Sequence, residues 1–136
     1  MKYDVVQTAI EAYVKANWTA TSGVQYDNTA FNSENFNEFL RCNVVFGEGL
    51  SRTITKGCYR QIGLLILSIF TRPAEGAARK LQLATLAADM MKHKVLTAVS
   101  TPAINFKVPD LFNDNKERDG WVMAQVSIPF YYDFTE

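Results

Sequence analysis

Few side chains in this sequence could perform chemistry, and none of them has partners at a catalytic spacing. His93 is the single histidine, and it stands between Lys92 and Lys94 at the expected end of a helix. A cation there interacts favourably with the helix dipole, so we interpret His93 as a solvated capping residue rather than a general acid or base. The sequence contains no nucleophile elbow, phosphate-binding glycine loop or zinc-protease motif. It therefore predicts a protein that is not an enzyme, with no catalytic residue and no cofactor site.

Carboxylates and glycines also lack the spacing of a binding site. The carboxylates at positions 110, 114, 117 and 119 share one segment with Lys116 and Arg118. Such alternation of sign is typical of a solvated loop, and the calcium-loop spacing is not met. Gly47-Glu48-Gly49 lacks a third glycine and a following helix, so it predicts a hairpin turn.

The two cysteines, Cys42 and Cys58, are too few ligands for a zinc site with one histidine. If residues 47 to 51 form a turn centred near residue 50, the two thiols lie opposite each other on paired strands, within roughly 5 Å. We interpret them as small buried apolar groups in a reducing cytoplasm rather than as a disulfide.

Length, composition and charge indicate one domain without a polyanionic ligand. The 136 residues are 48% hydrophobic, which suits a single domain over residues 1–136. Lysine plus arginine equals aspartate plus glutamate at 14 each, so no net field attracts nucleic acid or an acidic membrane. The longest strongly apolar run, Ile62 to Phe70, is much shorter than the roughly 20 residues that span a bilayer. The N-terminus resembles no secretory signal, so we expect a cytoplasmic protein.

The first half of the chain predicts a helix, a loop and two strands. Apolar residues at helical spacing indicate an amphipathic helix over residues 3–17. Residues 18–37 lose this periodicity and predict a long ordered loop, a candidate for contact with another chain. A strand follows over Glu38 to Phe46, and Arg52 and Lys56 lie on the expected tip of a projecting hairpin. The strand from Arg60 to Phe70 is apolar on both faces, which predicts a central strand covered on both sides.

The second half predicts another helix and the closing strands. Pro73 is expected to begin a helix that ends near Lys92. It carries two apolar stripes, one for the sheet and one that is either a wide core face or a subunit contact: Ala77, Leu81, Ala84, Ala88 and Met91, then Leu83, Leu86 and Met90. Short strands are predicted at residues 95–99 and 103–108, a charged turn at 111–120, and a long strand at 120–133. The outline is an α+β domain with a largely antiparallel (mixed) sheet of four to five strands and two helices packed on one face.

Two segments carry a resemblance to a known family. They are Tyr59 to Phe70 with Pro73, and the closing strand W-V-x-x-x-V-S-I-P-F from Trp121 to Phe130 with its continuation to Tyr132. With the order of elements around them, they resemble the tail-terminator and tail-completion proteins of long-tailed bacteriophages. The resemblance implies a virion protein of the tail or neck that is assembled in the host cytoplasm.

The resemblance also implies a homo-oligomeric, six-fold ring that caps the tail tube, stops its polymerisation and docks to the head-tail connector. The partners would be further copies of the chain, the tail tube protein and the connector protein, with DNA only passing through the lumen and no membrane. Exposed hairpin charges are then the interface candidates: Glu48, Arg52, Lys56, Lys116, Glu117 and Arg118.

Two other functions remain open from the sequence. One is a different structural role in the virion, as a tube subunit or a neck protein built on a similar α+β module. The other is a small-ligand-binding domain with a pocket lined by aromatic residues such as Tyr13, Trp18, Tyr26 and Trp121.

Overall fold

The computed structural model describes residues 3–21, 23–27, 29–51, 57–97 and 101–135. Its elements in chain order are α1 Tyr3–Asn17, β1 Gly23–Tyr26, β2 Glu38–Ser51, β3 Cys58–Thr71, α2 Gly76–Met91, β4 Val95–Leu96, β5 Ile104–Phe106, β6 Asp110–Arg118 and β7 Trp121–Thr135. Single 3-10 turns at Ser33–Asn35 and Pro73–Glu75 precede β2 and α2. The predicted α+β class is confirmed.

The sheet is built around β3. The strand pairs antiparallel with β2 on one side and with β7 on the other along its whole length, so the predicted central position is confirmed. The other edge of β7 pairs with two strands: β6 along the first half of β7 and β5 along the second half. Among the described strands, only β1 runs parallel to its neighbour, β2. The described residues form seven strands instead of the expected four to five, because the short β1 and the polar β6 carry little apolar periodicity.

Both helices pack on one face of this sheet, as the sequence predicts. The buried side of α1 consists of Val6, Ile10 and Val14, three positions at the spacing of one helical face. Alternate residues of the strands meet the helices, so that Leu65 on β3 and Ile128 on β7 are fully buried neighbours. Apolar burial on this face supplies the main stabilisation of the fold.

The predicted cover on both sides of β3 is wrong. The side chains that alternate with the buried set point to the other face, where no described helix packs, and 37% of Ile62 is exposed. Apolar residues on both faces of a strand indicate burial on both faces only when each face has a covering layer. This second face of the sheet is called the open face below.

The predicted turn at Gly47-Glu48-Gly49 is also wrong, because the strand continues through it. A β-bulge lies between Phe46 and Gly49, and β2 then pairs with β3 as far as Ser51 opposite Tyr59. The Gln61 side-chain amide donates to the Gly47 carbonyl over 2.8 Å, which satisfies a carbonyl at the irregular position. Glycine tolerates the bulge because it has no side chain to oppose the distorted pairing.

The longer hairpin separates the two cysteines. Cys42 lies opposite Leu67, whereas Cys58 lies opposite Thr135. Leu67 and Cys58 are nine positions apart on β3, so the expected opposition of the thiols is wrong by roughly 30 Å. Both cysteines are free, and Cys42 is buried.

The segment expected to be a charged turn is mostly the strand β6. Asp110 to Asp114 pair with β7, and the turn is confined to Asp119 and Gly120, which both have positive φ (53° and 82°). Two consecutive residues of positive φ make the tight hairpin turn that an Asp-Gly pair favours. The polar residues of β6 belong to an edge strand, where charged side chains oppose unwanted pairing.

The buried side of α2 crosses the two predicted stripes. It consists of Lys80, Leu83, Ala84, Ala87 and Met91, so it takes members from both. The helix begins at Gly76 rather than at Pro73, because the 3-10 turn of Pro73–Glu75 ends at Gly76 with φ +79°. Leu86 remains 46% exposed, which leaves an apolar position on the outer surface of α2.

Candidate functional site

The predicted interface charges lie at two opposite ends of the sheet. Glu48 is exposed in the bulge of β2, near the end of the sheet at which β2 ends and β3 begins. Lys116, Glu117 and Arg118 are exposed on β6 next to the turn into β7. The twelve steps from Tyr59 to Thr71 along β3 separate the two ends by roughly 40 Å. The candidates therefore form two groups rather than one site, and Arg52 and Lys56 lie outside the described residues.

The β6–β7 end is fastened to the body of the protein by two cations. Arg72 stacks on the Trp121 ring at 3.7 Å and donates to the Gly120 carbonyl over 3.2 Å. Lys80 of α2 is 1% exposed and donates to the Asp114 carbonyl over 3.0 Å and to Asn115 Oδ1 over 3.1 Å. Burial lowers the pKa of Lys80, and the nearby Asp114 charge partly offsets this. These contacts give β6 a fixed position despite its exposure.

The open face of the sheet carries an apolar patch across its three long strands. Val45, Leu64 and Pro129 lie opposite one another on β2, β3 and β7, and Ile62 lies opposite Tyr131 in the next row. Val45 is 49% exposed, and the other four residues are partly exposed. Contiguous apolar surface of this kind is typical of a protein interaction site.

Cations flank this apolar patch and rest on aromatic rings. The Arg60 guanidinium lies 4.1 Å from the Tyr131 ring and forms two hydrogen bonds with Asp133, of 2.8 and 3.0 Å. This pairing raises the pKa of Arg60. The Lys107 ammonium lies over the same ring at 5.6 Å, and Arg41 lies over Phe70 at 4.8 Å. Stacking fixes the direction of these charges while leaving them accessible.

The segment between α1 and β2 covers the far end of the open face. The Phe31 ring stacks on Phe36 at 5.2 Å and meets Phe39 at 5.1 Å, and Phe39 stacks on Phe70 at 4.6 Å. Trp121 meets Phe39 edge to face at 4.9 Å. The aromatic residues of the predicted loop therefore pack on the chain's own sheet, and its contact with another chain stays a prediction.

A second apolar surface lies where α2 meets β6. A groove of about 380 Å³ runs between them, lined by Leu81, Ala84, Thr85, Ala88, Pro109, Asp110, Leu111 and Val126. Leu111, which lines the groove, is 56% exposed, and Val108, next to Pro109 in the chain, is 54% exposed. Phe112 is 58% exposed but lies opposite Gln125, on the open face of the sheet. We call this surface the α2–β6 edge. Sequence patterning does not reveal it because residues 111–120 are predicted as a charged turn, although Asp119-Gly120 is a hairpin signal that points to a strand before it.

The described residues offer no arrangement for catalysis. Burial raises the pKa of the Cys42 thiol to about 12, with further increases from Glu11 and Asp27, so the thiol stays protonated and unreactive at neutral pH. His93 is exposed just after α2, with φ 52°. No group of three metal-ligating side chains occurs within the described ranges. The helices in the described part of the chain are too short or too polar to cross a membrane.

Comparison with known proteins identifies the family. A family model described as phage tail terminator protein matches residues 5–130, which is nearly the whole chain. The chain belongs to the phage tail terminator protein family. It is thus a structural, non-enzymatic protein of the virion tail, and its family implies interaction with the tail tube. The resemblance detected in the sequence is confirmed.

Solved structures support the fold of this tail terminator family member. One of them, a protein whose name carries no functional description, is 18% identical over 97% of this chain and 96% of its own, with a TM-score of 0.72. At that identity the likeness concerns the fold alone. A search of curated protein sequences found no match.

Proposed function

We propose that this chain, acting as a single domain, forms a six-fold ring on the last disc of the tail tube. The ring stops tube polymerisation and docks to the head-tail connector. The observation that carries this proposal, beyond the family, is the pair of hairpin ends at opposite ends of one rigid sheet. Such a subunit can contact two different partners along one axis, whereas its faces and edges remain available for its neighbours.

Each hairpin end suits one partner of the ring. The β2–β3 end carries Glu48, and the described strands flank a segment that contains Arg52 and Lys56. The β6–β7 end carries Lys116, Glu117 and Arg118. Charges at an interface favour correct orientation and exclude wrong partners more than they add affinity. One end would therefore meet the tube protein and the other the connector protein.

The neutral charge of the chain fits a ring that DNA traverses. The sequence has equal numbers of cationic and anionic side chains, 14 of each. A strongly basic lumen would bind the phosphate backbone and hold it through counterion release. A nearly neutral protein allows DNA to pass through the lumen without becoming a stable ligand.

A tube polymerisation assay tests this function. Purified tail tube protein is allowed to polymerise with increasing amounts of the chain, and tube lengths are measured by negative-stain electron microscopy. We expect tubes to shorten with dose and to carry a ring at one end. The variant Val126→Asp, which we expect to unfold the domain, serves as the inactive control. Tubes of unchanged length with no chain at their ends would overturn the proposal.

A further inference from the structure

Two of the interface candidates at the β6–β7 end lie in a β-bulge of β6. The four steps from Asp114 to Arg118 on this strand oppose only two steps on β7, from residue 123 to residue 121. Lys116 and Glu117 lie inside this stretch, where the regular pairing is interrupted, and both are exposed. A bulge bends its strand and re-aims the side chains that it carries. The strand ladder alone therefore does not fix where these two charges point.

The buried Lys80 of α2 anchors the residues at which this bulge begins. Its ammonium donates to the Asp114 carbonyl over 3.0 Å and to Asn115 Oδ1 over 3.1 Å. Asp114 is the last paired residue before the bulge, and Asn115 is the first residue inside it. The Asp114 carboxylate in turn accepts from the Lys116 backbone N–H over 3.0 Å and pairs with Arg118 at 3.7 Å. One buried ammonium thus begins a series of contacts that reaches the exposed charges.

The groove of the α2–β6 edge shows that side-chain packing does not fill the space between these two elements. The groove has a volume of about 380 Å³, and Lys80 crosses from α2 to β6 one helical turn before Ala84, which lines the groove. Only 1% of Lys80 is exposed, so the residue holds β6 without being accessible to another protein. Burying an ammonium carries a desolvation penalty that its hydrogen bonds offset. An aliphatic side chain would therefore serve the core at least as well at this position.

We propose that Lys80 is a positioning residue for docking of the β6–β7 end: it holds the bulge in the orientation in which Lys116 and Glu117 meet their partner, and it touches no partner itself. This inference rests on the proposed function and names the residue that prepares one of its two docking ends. Ordering a mobile segment at an interface opposes association. A bulge that Lys80 already fixes avoids this penalty, so the affinity of the hairpin end is set from inside the subunit.

Lys80→Met tests this role, because it removes the ammonium and keeps a long side chain in the core. We expect a melting temperature equal to or above that of the wild type, since the buried charge is gone and water can bind the exposed Asn115. In the free chain, peptides that cover β6 should exchange hydrogen for deuterium about tenfold faster, the effect of losing a charge-assisted hydrogen bond. Peptides that cover β3 should exchange at the wild-type rate.

The same variant should dock less well. The chain is titrated into tails from a mutant virus that lacks it, and incorporation is followed by sedimentation. We expect Lys80→Met to need about tenfold more protein for half-maximal incorporation, in proportion to the loss of order in β6. Lys92→Met is the matched control, because it removes the same charge at an exposed position just after α2. This control should match the wild type in both exchange and incorporation.

Asn115→Ala tests the anchor from its other side. It removes one acceptor of Lys80 at an exposed position, so the core is untouched and the variant decides the question even if Lys80→Met fails to fold. We expect faster exchange in β6 and weaker incorporation, both smaller than for Lys80→Met. Added to Lys80→Met, it should accelerate exchange no further, because its donor is already gone.

The outcomes separate this inference from the proposed function. Unchanged exchange in β6 of Lys80→Met and Asn115→Ala would overturn the inference, as would additive effects of the two substitutions on exchange. Faster exchange with wild-type incorporation would also overturn it, because the order of the bulge would then not matter for docking. In each of these cases the wild-type chain still caps tubes and joins tails. A wild-type chain that does neither refutes the proposed function itself.

Discussion

Val126 lies at the centre of the sheet face that packs against the helices, with 1% of its surface exposed. Val126→Asp places an unpaired carboxylate there, and we expect it to lower the free energy of unfolding by roughly 3 to 5 kcal/mol. Urea denaturation followed by circular dichroism measures this change. Val95→Asp is the control, because Val95 is 51% exposed. A Val126→Asp protein that unfolds at the wild-type urea concentration would show that the core face is wrongly assigned.

Cys42 and Tyr132 make the fold sensitive to alkaline pH. Burial raises both of their pKa values to about 12, from ordinary values of 9.0 and 10.0. Below pH 9 both groups hold their protons in the folded and the unfolded chain, so their contribution to stability is fully present. Above that pH the unfolded chain ionises first, so the free energy of unfolding falls as pH rises toward 12.

The Cys42 contribution can be isolated by substitution. A pKa difference of about three units corresponds to a loss of about 4 kcal/mol once both states are ionised. We expect Cys42→Ala to lose stability less steeply than the wild type between neutral pH and about pH 10, in urea denaturation at each pH. Equal slopes in the two proteins would show that the Cys42 thiol is not the group responsible.

At the scale of the elements, β3 and β7 pack more closely than any larger residue at position 63 would allow. A Cβ atom added at Gly63 would lie 2.3 Å from Cζ of Phe130, directly across the two strands. Gly63→Ala should therefore destabilise the protein by about 2 kcal/mol or more, measured by thermal and urea unfolding. Phe130→Leu should relieve the clash, so the double variant should be more stable than the sum of the single effects predicts. Strictly additive effects would contradict this packing.

The strands also show where sequence patterns succeed and fail. The long strand β7 alternates apolar and polar residues, and its predicted bounds of 120–133 agree closely with Trp121–Thr135. The strand β6 lacks this signal because both of its faces are largely exposed. The bulge at Gly47 to Gly49 resembled a turn because glycine serves both structures, and that single error displaced the expected partner of Cys42.

The candidate site was less predictable than the fold. Charges such as Glu48 and Glu117 are candidates because the sequence predicts them on hairpins, but it does not show that they lie at opposite ends of the sheet. The open face was missed because an apolar strand looks the same whether its second layer comes from the same chain or from another. The buried Lys80 was invisible to patterning, since its hydrogen-bond partners are 34 and 35 residues away.

At the scale of the whole molecule, the β2–β3 end is expected to act in assembly rather than in folding. Arg52→Glu combined with Lys56→Glu reverses two hairpin charges, and we expect normal folding with loss of incorporation into tails. Thermal melting measures the first and sedimentation of assembled tails the second. Lys15→Glu combined with Lys92→Glu changes the net charge by the same amount at two exposed positions, in the last turn of α1 and just after α2, and should assemble normally. Unchanged incorporation of the Arg52 and Lys56 variant would remove this end from the interface.

The most direct test of the account is to locate the chain in intact virus particles by cryo-electron microscopy. A terminator that caps the tube and joins it to the head predicts one ring of this fold, between the last tube disc and the connector. In that ring one hairpin end of each subunit should face the tube and the other should face the connector. Copies repeated along the tail, or a position away from the junction between tail and head, would contradict the account.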